Sequence, residues 1–187
     1  MVLGMSLPAF TAAHVLLALI GIVAGLIAMW GLLRGSLLRG WTWLFLLMAL
    51  AVSITGFMFP VTALKPSHAF GVVTLALIGL AVTALVVKRL DGRWRTVYVV
   101  SAMLTLYLNV VVLIVQMFEK VAPLAELAQA KGAWPLIAAQ GAVLVLFVAT
   151  TAMGALRFRP SPMHLARARP SSLDDGQCSS IHLNRLI

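Results

Sequence analysis

Seven side chains hold most of the chemistry this sequence offers inside its apolar stretches: His14, Thr55, His68, Asn109, Gln116, Glu119 and Gln140. Imidazole can ligate a metal or a haem iron and can move a proton, a carboxyl beside it makes an acid/base pair, and amides and hydroxyls hydrogen-bond. Two readings follow. In the first, His14 and His68 are the axial ligands of a b-type haem, and the small residues on their helix faces (Ala18, Gly21 and Gly25; Gly71 and Gly79) make room for the porphyrin. Only Lys65 and Lys120 stand where haem propionates would need a cation. In the second, Thr55, Asn109, Gln116, Glu119 and Gln140 form a small polar site. A metal ion on His14, His68 and Glu119 would lack a fixed fourth ligand, so no metal centre is expected.

Other chemistries are disfavoured. No Asp falls in an apolar run, and the sequence has no HExxH, GxSxG or Walker motif, which argues against intramembrane proteolysis and phosphoryl transfer. Ser53 and Ser101 have no base at a visible spacing and read as helix-packing residues. A proton pathway needs groups that titrate at mid-depth, where the sequence offers Thr105, Tyr107 and Asn109. The single cysteine, Cys178, excludes an intramolecular disulfide.

The elements that must position these residues are set by composition. The chain has 187 residues, 62% hydrophobic and 10% charged, with a mean hydropathy of +1.05. Soluble domains are about 25% charged, so the main solvent here is lipid. Apolar runs at 10–33, 41–59, 69–87, 96–118 and 134–156 approach or exceed the ~20 residues that cross a hydrocarbon core. They predict an all-α membrane protein, a five-transmembrane-helix bundle over residues 1–156, with short connections that make neighbours antiparallel. PLAELAQA, in the fourth connection, is a candidate surface helix. Trp30, Trp41, Trp43, Trp94 and Trp134 fall at or near the ends of the runs, as interfacial anchors do.

The fourth run carries the clearest pattern. At about 100° per residue, Tyr98, Ser101, Thr105, Asn109, Gln116 and Glu119 fall within an arc of roughly 80°, a stripe that hydrocarbon forces toward protein. Eleven of the fourteen Lys and Arg lie in the first connection, the third connection and the tail, against Lys65, Lys120 and Lys131 in the others. Positive charge stays in the cytoplasm, so the N-terminus is expected outside and the C-terminus inside. With that threading His14, Thr55, His68, Gln116, Glu119 and Gln140 all fall in the outer half. Residues 157–187, rich in Arg, Pro, Ser and Asp, read as a disordered cytoplasmic tail. The net charge of +9 sits between apolar blocks without an aromatic-basic surface, so no nucleic-acid partner is expected.

Two stretches, ITGFMFPVTALKPSHAFG and YVVSAMLTLYLNVVVLIVQMFEKVAPL, resemble a group of small multi-pass bacterial inner-membrane proteins without an assigned activity. The resemblance implies a bacterial cytoplasmic membrane and no particular reaction. The loop ELAQAKGAWP and the tail depart from the group's pattern. The expectation is therefore a non-enzymatic integral membrane protein with a small polar site in its outer half. The alternatives are a haem-binding electron carrier and an accessory subunit that docks other membrane subunits or a copy of itself.

Overall fold

The computed structural model describes Gly4, residues 6–59 and residues 66–158, with side chains from residue 70 onward in the second segment. The described residues are helical apart from turns. The order is α1 (Leu7–Leu33), α2 (Arg39–Phe57), α3 (Pro66–Val82, continued by a π turn at Thr83–Val87), α4 (Trp94–Lys120), α5 (Ala122–Lys131) and α6 (Trp134–Arg157). Five of these, all but α5, are long and apolar enough to cross a membrane.

Helix ends follow local chemistry. The first helix starts three residues before the apolar run at residue 10, because the Ser6 hydroxyl accepts from the Ala9 amide at 3.4 Å and a proline occupies the first turn. The second ends at Phe57, with the Met58 amide still bonding the Thr55 carbonyl at 3.1 Å, and Pro60 two residues later disfavours carrying the helix on through Phe59. Beyond the π turn, Arg89 and Leu90 adopt left-handed backbone (φ 48° and 61°), and Leu90 is buried, which fixes this connection against the bundle. The fourth connection contains α5, none of whose side chains is buried.

Helix α4 is the central element and touches every other helix. The end of the bundle that carries Arg34, Arg39, Lys88, Arg89, Arg93, Arg95 and Arg157, here called the basic end, is also the better packed. The buried core includes Ala24, Ala28 and Leu32 of α1, Phe45, Leu46 and Ala49 of α2, Ile78 and Ala81 of α3, and Tyr98, Val99, Ser101, Ala102, Met103, Thr105 and Leu106 of α4. All of these lie in that half or near mid-depth. Gly25 permits the approach of α1, since a Cβ there would stand 2.6 Å from Leu106 Cδ1 and 2.9 Å from Phe45 Cδ2. Phe158 is fully buried beside Tyr98, with ring centroids 6.3 Å apart. The packed bundle therefore extends through Phe158, two residues into the expected tail, because this aromatic side chain closes the basic end. Residues 159–187 lie outside the described residues.

The opposite half is open by comparison. Among the described residues its buried side chains are Phe10, Ser53 and Thr74, and α4 has none beyond Leu106. The small-residue face expected along α3 is split. Gly71 packs against the Phe57 ring, whereas Gly79 faces outward, with nothing within 4 Å of the position a Cβ would occupy.

Candidate functional site

The stripe on α4 does two things. In the basic half its hydroxyls bond the helix's own backbone: Ser101 Oγ donates to the Val97 carbonyl at 2.7 Å, and Thr105 Oγ1 donates to the Ser101 carbonyl at 2.9 Å. Asn109 continues the ladder, its Nδ2 donating to the Thr105 carbonyl at 2.8 Å. Tyr98 is the stripe residue that bonds across helices, its hydroxyl 3.3 Å from Thr42 Oγ1 on α2. Tyr98, Ser101 and Thr105 are buried, so this part of the stripe faces protein. Back-bonding satisfies the polar atoms without a partner helix, and the stripe is mostly self-contained here.

One turn further on, packing opens. A cavity of about 130 Å³ lies among α1, α2, α3 and α4, lined by His14, Ser53, Gly56, Thr74, Asn109 and apolar side chains including Val52, Leu108 and Val112. Phe57 and Phe70, 38% and 40% exposed, line it as well and reach the surface of the bundle. Each polar residue arrives from a different helix because α1 and α3 run one way and α2 and α4 the other.

The His14 ring is held on two sides. Its Nδ1 lies 2.7 Å from Thr55 Oγ1, and its edge meets the Phe59 ring at 90° with centroids 5.3 Å apart. The Thr55 hydroxyl donates its one proton to the Ala51 carbonyl at 2.7 Å. With its proton given to that carbonyl, Thr55 Oγ1 accepts from His14, and the Nδ1–H tautomer that this arrangement requires would leave Nε2 with its lone pair. Gly56 keeps space beside the ring, since a Cβ there would stand 3.8 Å from His14 Cε1. The Ser53 hydroxyl donates to the Ala49 carbonyl at 2.9 Å, and Thr74 makes no hydrogen bond among the described residues. The cavity thus offers acceptor capacity at His14, Ser53 and Asn109 and an uncommitted hydroxyl at Thr74. All of these groups are neutral with His14 in the Nδ1–H form.

The other sequence candidates are distributed differently. Gln140 bonds from α6 to α4, its Nε2 donating to the Val111 carbonyl at 3.1 Å while its Oε1 is buried without a partner, and it does not line the cavity. Gln116 is half-buried and makes no hydrogen bond among the described residues. Glu119 is exposed and pairs with neither His14 nor a cation among them. His68 lies in the first turn of α3, and its side chain is outside the described residues. The structure brings together His14, Thr55 and Asn109, and leaves Gln116, Glu119 and Gln140 outside that group.

Sequence reasoning missed Thr74, Phe57 and Phe70. A signal for Thr74 existed, since it and Thr83 are the hydroxyl residues of the apolar run 69–87 and Thr74 is the one farther from the basic end. Nothing in sequence marks the two phenylalanines, whose role depends on how α2 meets α3.

Among the described residues, the cavity beside His14 does not fit a porphyrin: it is smaller than the roughly 300–1,000 Å³ of small-molecule sites, and the imidazole is fixed by Thr55 edge-on to Phe59. The haem reading also requires His68, whose side chain lies outside the described residues. No cluster of three His, Cys, Asp or Glu able to hold a metal ion occurs among the described residues. Comparisons with protein-family models, with curated proteins and with solved structures find no match to this chain.

Proposed function

We propose that this chain is a multi-pass protein of a bacterial inner membrane, with its N-terminus outside and its basic end in the cytoplasm. Its function on this reading is non-catalytic: the cavity binds a small neutral molecule that presents a hydrogen-bond donor. The observation that carries the proposal is the His14–Thr55 contact at 2.7 Å, which orients the imidazole beside a cavity that Asn109 and Thr74 also line. The volume suits a ligand or group of single-ring size, since a cavity of about 150 Å³ accepts benzene. Phe57 and Phe70 supply a rim through which such a group could enter from the surface. The distribution of Lys and Arg supports the threading.

Phenol and benzene, nearly equal in size, provide the test. Phenol should raise the melting temperature of the purified protein more than benzene at equal free concentration. His14→Phe and Asn109→Leu should each abolish the difference. Equal stabilisation by both compounds, or a preference that survives both substitutions, would contradict the proposal.

A second reading, a subunit of a larger membrane assembly, is favoured by α6. Only 11% of its spanning window is buried, against 39% for α4. Co-purification of a stoichiometric membrane partner that is lost when α6 is altered would support it. A stable, monodisperse monomer in detergent would count against it.

A further inference from the structure

We propose that the basic end is a built platform for anionic phospholipid headgroups. It holds Arg34, Arg39, Lys88, Arg89, Arg93, Arg95 and Arg157, with Asp91 the one acid among the described residues there. None of these cations makes an ion pair among the described residues, and the Nε of Arg95 is buried without a hydrogen-bond partner. The charges are held in place. Lys88 N–H donates to the Thr83 carbonyl at 3.0 Å, Leu90 N–H to the Ala84 carbonyl at 2.9 Å and Trp94 N–H to the Asp91 carbonyl at 2.9 Å. Buried Leu90 pins the connection from below, so Lys88, Arg89 and Arg93 project from it on a fixed backbone.

Two contacts set the depth. The Arg34 guanidinium lies 4.6 Å from the Trp30 ring centre, and Lys88 Nζ lies 5.2 Å from that of Trp94. Indoles favour the headgroup level of a bilayer, and these two place their cations there, where phosphates are found. Arg93 and Arg95 also flank the start of α4, whose first turn holds no acid, so helix dipole and side chains repel each other until an anion intervenes. A lipid phosphate meets all three conditions, since it is anionic, lies at the right depth and is present at high local concentration.

The test titrates purified protein in neutral mixed micelles with phosphatidylglycerol, phosphatidylcholine or inorganic phosphate, following melting temperature and retained lipid. Phosphatidylglycerol should stabilise and be retained, and phosphatidylcholine should do neither. Raising salt toward 1 M should weaken the effect, because it shortens the screening length to about 3 Å. Each of Lys88→Gln, Arg93→Gln and Arg95→Gln should weaken phosphatidylglycerol binding about five-fold. Lys131→Gln, at the other end, should not. Each variant's melting temperature in neutral micelles separates lost binding from lost folding. Stabilisation by inorganic phosphate equal to that by phosphatidylglycerol would assign the site to a soluble anion and overturn the lipid proposal. Indifference to all three would overturn it as well.

Discussion

Thr105 and Asn109 stand one turn apart on the same face of α4, yet Thr105 is fully buried among packed side chains and Asn109 lines a cavity. Both bond the carbonyl four residues back, so local hydrogen bonding does not separate them. What differs is the neighbourhood. Around Thr105, Gly25 lets α1 close in on Phe45 and Leu106. Around Asn109, the lining mixes a histidine, two glycines and two hydroxyl residues with apolar side chains that do not close the gap. In a membrane helix, polarity that bonds its own backbone is compatible with a dry core. It becomes a site only where the surrounding helices stop filling the gap.

The comparison can be broken most severely at Gly25. Gly25→Leu should cost about 3 kcal/mol or more, read as loss of a folded monomer in detergent, because the new side chain meets Leu106 and Phe45. Gly79→Leu, with nothing within 4 Å, should leave the melting temperature nearly unchanged. If the two variants behave alike, the packing account of the basic half fails. In the open half, Asn109→Leu should lower phenol affinity about ten-fold or more while the protein stays folded, a loss near 1.4 kcal/mol. Tyr107→Phe should leave phenol binding intact, because the Tyr107 ring packs tilted at 57° against Phe147, centroids 5.6 Å apart, and its hydroxyl makes no hydrogen bond among the described residues.

Smaller effects sharpen the distinction. Tyr98→Phe removes the bond to Thr42 and should cost about 1 kcal/mol by thermal or denaturant unfolding, within the range for interhelical hydrogen bonds in bilayers. Ser101→Ala should cost no more than about half that, since its hydroxyl bonds only its own helix. A Ser101→Ala cost larger than that of Tyr98→Phe would show that the ladder on α4 holds helices together after all.

The sequence carried the five spanning helices clearly, because a run of about 20 apolar residues has few other solutions. The surface helix α5 and the protein-facing direction of Tyr98, Ser101 and Thr105 were legible for related reasons. Charge and helix direction also indicated that His14 and Thr55 lie toward one end, with Asn109 near mid-depth. They could not give azimuth. Glu119 and Gln140 share a depth range with His14, but one faces outward and the other bonds the Val111 carbonyl from α6. Depth comes from counting along one helix, whereas meeting across a cavity depends on the rotation of four. The left-handed backbone at Arg89 and Leu90 was illegible for a similar reason, since it is stabilised by burying Leu90 in a core built by other segments.

The division of α4 into a dry half and an accessible half can be measured directly with single cysteines. In a Cys178→Ser background, Asn109→Cys and Thr105→Cys are treated with a small water-soluble thiol reagent in the folded protein. The account predicts modification at residue 109 and protection at residue 105, with both reacting fully after denaturation. Equal protection, or faster reaction at residue 105, would contradict it.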